Sequence, residues 1–377
     1  MANVKWIGVA LASLLTAAAF ACAWDYDTVP EELKGVPDVV DAVIGRLEVN
    51  PPLYYEVRLK RVVEEMKTHP ENLDLYDNAG VASDKLGDSD AAIKWMAEKA
   101  KWLKKSQLDA ETVKDHQYRY HANLGTFLAH KWAKTRDAKN LNMLRQGISE
   151  LETAVKINPD AHFGREIVQI KVLQMILGRA KGKITSESEF ILKGWREFTK
   201  ETGTSKTTKG LIGMMLLGAG AESPDMVALL GLSASMHTKK RDASLSYLVQ
   251  NRFKELSAVK KPMLFGENSF ATSYGYPSGR GGAATAYPEL IHSAKEFRRN
   301  RDEFMLAKLK KGLHPDTDPT FWKGYRPTPA VNLDKFGTWI PHFFRTQYGI
   351  FMFGFGVFLF LIIGFYLWSN RRRKSRK

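Results

Sequence analysis

Between residues 53 and 160 apolar positions recur every three to four residues, in runs separated by short polar or glycine-containing breaks. That spacing predicts amphipathic helices joined by tight turns. The run "YYEVRLKRVVEEMKTHPEN" places Leu59, Val62, Val63 and Met66 on one stripe and stops at Pro70, while "YDNAGVASDKLGDSDAAIKWMAEKA" breaks at Leu86-Gly87-Asp88 into two shorter runs. Further helical runs follow in "YRYHANLGTFLAHKW", "GISELETAVKINP", "AHFGREIVQIKVLQMILG", "SESEFILKGWREFTKETG" and "SPDMVALLGLSASMHTKKRDASLSYL". The expected fold class is all-α. Beyond Lys261 the pattern changes: residues 261–345 read as a loop-rich segment holding one helix near 287–311, with Leu290, Phe297, Phe304 and Leu309 apolar. The proline-rich stretch after Gly312 is expected to lie irregularly along the helices, pinned by Phe321, Trp322, Tyr325 and Trp339.

Both ends carry a different pattern. Residues 1–23 read as an export signal: Lys5 precedes an apolar run that ends in two small-residue sites, Ala19-Phe20-Ala21 and Ala21-Cys22-Ala23. Cleavage at Ala21, cleavage at Ala23 and lipidation of Cys22 all stay open. Tyr348–Trp368 is an uncharged run of 21 residues with aromatics at its ends. At about 1.5 Å per residue such a run spans the roughly 30 Å hydrocarbon core of a bilayer, so 348–368 is the expected transmembrane helix. The tail 369–377 holds six basic residues, whereas 335–347 holds only Lys335 and Arg345. This bias places the tail in the cytoplasm and the bulk of the chain outside it.

The small residues inside the helical runs have a further order. Tyr76, Ala79, Gly80 and Ser83 precede the Gly87-Asp88 turn, and Ala92 follows Gly80 by twelve residues. Gly231 and Ala243 repeat that interval, and Asn123-x-Gly125 repeats the Asn78-x-Gly80 core with His121, Leu124 and Leu128 around it. Gly147, Leu151, Ala154 and Pro159 complete that second copy, with ten extra residues between its halves. This pattern resembles the 34-residue tetratricopeptide repeat. The resemblance implies a solenoid of helical hairpins over 36–260, with its best units at 39–72, 73–106, 118–161 and 224–257. It further implies a concave groove that holds a protein or peptide partner, with Asn78, Lys85, Asn123 and Lys131 as exposed groove candidates. The alternative is a plain helical bundle in which Gly and Ala mark ordinary crossings.

Charge and chemistry alter this picture little. Of the formal net charge of +15, the tail and Lys5 supply seven, which leaves about +8 without a long basic run on residues 8–370, so nucleic acid is not an expected partner. The single cysteine, Cys22, excludes an intrachain disulfide, and a large exported domain without disulfides suggests a bacterial cell envelope. "GYPSGRGG" lacks the Gly-Lys-Ser/Thr ending of a phosphate loop, and no H-E-x-x-H or G-x-S-x-G occurs. His116, His121 and His130 lack the i,i+4 spacing of a helical metal pair and read as helix–helix contacts. No catalytic residue, metal or cofactor is expected. The resulting reading is a membrane-anchored, extracytoplasmic scaffold for protein–protein interaction. Two alternatives remain: a subunit of an envelope enzyme with its site in 262–345, and a surface-sorted protein, for which no LPxTG motif precedes the span.

Overall fold

The computed structural model describes residues 25, 37–159, 161–181, 187–217, 220, 222–236, 243–259, 261, 265 and 282–333. The expected export signal, the expected span at 348–368, the basic tail and Trp339 lie outside the described residues. Among those described, twelve α-helices and two short 3-10 turns make up the regular structure, with no strand. The helices are α1 Val39–Ile44, α2 Pro52–Glu65, α3 Leu73–Lys85, α4 Ser89–Leu103, α5 Ala110–Thr135 and α6 Leu141–Ile157, then α7 Arg165–Ala180, α8 Glu187–Thr202, α9 Thr204–Leu216, α10 Pro224–Ser235, α11 Ala243–Ala258 and α12 Gly282–Leu309. None of the described helices is long and apolar enough to cross a membrane.

Capping chemistry sets the boundaries of α2–α5. Pro52 opens α2, where a missing N–H is harmless, and the Asn72, Asp88 and Asp109 side chains accept the first free amides of α3, α4 and α5. Gly87, at φ +87°, makes the α3–α4 turn. Packing between these helices depends on small residues. A methyl group added at Gly125 would lie 2.7 Å from the Gly147 carbonyl oxygen, and one at Gly147 would lie 2.8 Å from the Gly125 oxygen. The α5 and α6 backbones therefore touch, and any side chain there would force them apart. A methyl group added at Gly80 would lie 3.0 Å from the side chains of Met96 of α4 and Phe127 of α5, a looser contact than the backbone one at Gly125, and Ala92 is fully buried.

Three features depart from the expected hairpin series. Helix α1 does not form the first arm of a 39–72 hairpin with α2; it packs against α9, α10, α11 and α12 and buries Val39, Val40, Ala42, Val43 and Ile44 there. A helix of six residues cannot cover α2, but its nearly all-apolar surface suits a site enclosed by four helices. Helix α7 takes α9 as its neighbour, with Gly210 seated on Val168, although 161–178 and 186–203 read as a pair. Helix α9 itself gave no clear periodic signal, because Gly210 and Gly213 interrupt its apolar run. Finally, α12 begins at Gly282, earlier than 287, and runs back to α1 and α2. After it, residues 310–333 hold only turns and irregular backbone.

This return closes the two ends of the domain together. Arg301 donates to the Val49 carbonyl and to Asn50 Oδ1, both at 3.0 Å, and Arg46 reaches the carbonyls of Thr328 and Pro329 while stacking over Phe297. At the centre of the closure, the Arg58 guanidinium takes Asp316 by two parallel bonds of 2.6 and 2.8 Å and Asp25 by a third of 2.7 Å. Arg58 is fully buried. Arg61 adds a bond of 2.5 Å to Asp316, and His314 stacks on Tyr54 with ring centroids 4.4 Å apart. Burial raises the Asp316 pKa, but hydrogen bonds from His314 and Arg58 and the Arg58 charge outweigh it and hold the carboxyl well below the usual range.

Candidate functional site

Asn78 and Asn123 are not groove residues: they are 6% and 0% exposed. The cause lies in their neighbours. Ala79, Gly80 and Ser83 bring α3 so close to α4 and α5 that the polar positions beside them are enclosed. Asn123 Nδ2 donates to Asp77 Oδ1 at 3.0 Å, and the other Asp77 oxygen is 2.5 Å from Lys99 Nζ. Asp77 and Lys99 are themselves buried, so the pair joins α3, α4 and α5 through one carboxylate. The sequence reading passed over both residues, although Asp77 adjoins Asn78. A charge one position from a helix's small-residue stripe was the available signal.

Burial dominates the ionisation of this cluster. It pushes the Asp77 carboxyl up against the opposing effect of Lys99, and it pushes the Lys99 ammonium down against that of Asp77. His116, also buried, is pushed down to about 4 by burial and then by the Lys99 charge, so the ring is neutral at pH 7. Its Nδ1 has no hydrogen-bond partner among the described residues. Asp74, Asp77 and His116 each bring a donor atom within 4.8 Å of the others. They do not make a metal centre, because each carboxylate already has a cation of its own. Arg119 is 2.6 Å from Asp74 and Lys99 is 2.5 Å from Asp77, so a divalent ion at the roughly 2 Å bonding distance would face both positive groups. The cluster reads as an interhelical ion pair that fixes the register of three helices.

The other two histidines follow the same logic. His121 Nδ1 lies 2.6 Å from Glu150 Oε2 across α5 and α6, and His130 Nδ1 lies 2.5 Å from Asp84 Oδ2 across α5 and α3. Ser89 Oγ donates to the second Asp84 oxygen, which ties the start of α4 into the same contact.

Lys85 and Lys131, the remaining groove candidates, occupy a half-exposed edge where α3 ends and α4 begins. Lys131 reaches Asp90 at 2.5 Å, and Lys134 donates to the Gly87 carbonyl. The hydrogen bond from Lys131 and the charges of Lys131, Lys134 and Lys94 hold the Asp90 pKa down. Around this one aspartate the edge gathers Lys94, Lys131 and Lys134. Asp88 is also exposed at this turn, and lysines outnumber the exposed carboxylates there.

A second feature lies at the closure of the domain, beside Arg46. A surface cleft of about 350 Å³ runs between α12 and residues 328–332, lined on the helix side by Glu289, His292, Ser293 and Glu296. Three of these carry ionisable groups within two turns of one helix, and Glu296 pairs with Arg299. Comparison with known protein families, with curated proteins and with solved structures gives no match to this chain.

Proposed function

We propose that this chain is an exported, single-pass membrane protein of the cell envelope whose tetratricopeptide-like helical domain recruits a protein partner. The observation that carries the proposal is the lysine-rich edge at the α3–α4 turn, where Lys94, Lys131 and Lys134 lie around Asp90, with Asp88 exposed beside it. With Lys85 beside it, this edge suits an acidic segment of a partner, and hairpins held by glycine contacts give it a rigid backing. The membrane component rests on the sequence: the apolar run 348–368, the six-charge tail and the signal-like residues 1–23. Reporter fusions test the topology. A reporter active only outside the cytoplasm is expected to be on after Leu333 and off after Lys377; the reverse would overturn the orientation.

The cleft favours a second reading, in which the chain is a subunit of an envelope enzyme and residues of 262–345 build the site. Glu289, His292 and Glu296 bring acid–base groups to one surface of that segment, as such a site requires.

A further inference from the structure

The end of α12 and the turn after it carry a surface unlike the rest of the closure. Leu313 and Trp322 are 40% and 38% exposed, two of the four large apolar side chains that stand this far out among the described residues. Trp322 is also held rigidly. Its ring stacks on Phe304 at 5.9 Å with planes only 10° apart, Tyr325 lies 5.4 Å away, and the Arg301 guanidinium sits 5.0 Å over its face. Beneath it, Phe321 is fully buried against Phe304, and Lys308 donates to the Thr320 and Phe321 carbonyls. The indole is thus fixed with one edge in water, although nothing among the described residues covers it.

Charge around the indole has one dominant sign. Lys310, Lys311, Lys323 and Arg326 are all exposed. Against them stand Asp318, which accepts from the Thr320 amide and hydroxyl and keeps its charge, and Glu48 and Asp302 near Tyr325, whereas Asp316 is taken up by Arg58 and Arg61. An exposed amphipathic ring in a 17-residue stretch, 310–326, that also exposes a leucine and four cations is the chemistry that suits the headgroup layer of an anionic bilayer.

We infer that this patch, formed by Lys310, Lys311, Leu313, Trp322, Lys323 and Arg326, seats the helical domain on the anionic lipid surface of the membrane that holds its own anchor. The inference rests on the proposed span at 348–368. Only 14 residues separate Leu333 from Tyr348. A chain of that length has a typical end-to-end distance of about 20 Å and cannot exceed roughly 50 Å, which keeps the patch at high effective concentration near the bilayer. Contact through the patch would fix how the domain stands on the membrane, and so where the basic edge and the cleft face.

The test uses the full chain carrying Cys22→Ser and Ala307→Cys, with an environment-sensitive dye on Cys at 307. Ala307 is exposed on α12, three and four residues before Lys310 and Lys311. The labelled protein is reconstituted into phosphatidylcholine vesicles with or without 30% phosphatidylglycerol and with quencher-bearing lipids. The expected result is at least twofold stronger quenching with phosphatidylglycerol, reversed by high salt and lost on Lys310→Glu/Lys311→Glu. Trp322→Ser is expected to weaken it even without added salt. Equal, weak quenching in both lipids would overturn the patch. Resistance to alkaline carbonate extraction, measured on the same vesicles, reports the anchor separately, so loss of one reading is distinguished from loss of the other.

Discussion

The protein contains two buried ion clusters that do opposite things with the same chemistry. In the α3–α5 cluster, Asp77 meets one ammonium and one amide, and burial leaves its carboxyl with a raised pKa. In the closing cluster, Asp316 meets His314 and two guanidiniums, and hydrogen bonds from His314 and Arg58 hold its carboxyl far down against burial. The difference is the number and geometry of donors. A planar guanidinium supplies two parallel bonds to one carboxylate, whereas an ammonium offers a single contact and keeps its own desolvation cost. One cluster fixes the register between neighbouring helices; the other joins segments more than 250 residues apart.

The sharpest way to break this contrast is to remove each cation. Arg58→Met leaves Asp316 and Asp25 buried without their main partner and is expected to cost about 3–5 kcal/mol in urea unfolding, with faster proteolysis of 310–333. Lys99→Met is expected to cost less, about 1–3 kcal/mol, because Lys99 meets Asp77 by a single contact, whereas Arg58 holds two carboxylates. Equal losses would mean that the two carboxylates are not distinguished by their donors. At the glycine and alanine crossings, Ala92→Leu is expected to cost about 1–3 kcal/mol through overpacking. An unchanged melting temperature would show that α4 has room at that position.

A smaller effect follows from His116. Its folded pKa lies below the unfolded value, so the unfolded chain binds more protons between pH 6.5 and about 4. The stability it contributes is complete above pH 6.5 and is lost as pH falls through that window. Thermal melts of the protein and of His116→Gln should therefore converge as pH is lowered from 6.5 to 4. Parallel curves would place His116 in contact with water. Asp316 behaves differently: its contribution is present above the ordinary carboxylate pKa near 4 and survives until pH falls through its depressed folded value.

The same division explains what was legible in the sequence. The α-helical class, the 86–88 break and the close approaches at Gly80, Gly125 and Gly147 could be read from local spacing, since each depends on residues within a few turns. The burial of Asn78 and Asn123 could not. It depends on how closely three helices approach, and the same small residues that signal a repeat also close the space a groove would need. Nothing local to Asp316 marks its role, because its partner Arg58 lies on α2, and the position of α1 against α9–α12 has no local trace at all.

The central claim, that the basic edge recruits a partner, is tested most directly by comparing two sets of variants in one capture experiment. A partner is first recovered by crosslinking the tagged full chain in its membrane. Lys85→Glu/Lys131→Glu/Lys134→Glu and, separately, Glu289→Gln/His292→Gln/Glu296→Gln are then assayed for capture of that partner and for thermal stability. The account predicts at least a tenfold loss of capture for the lysine set and no loss for the cleft set, with the melting temperature little changed in the cleft set and lowered slightly in the lysine set, where the contacts to Asp90 and the Gly87 carbonyl are lost. Full capture by the lysine set with loss in the cleft set would contradict it and move the functional site to α12.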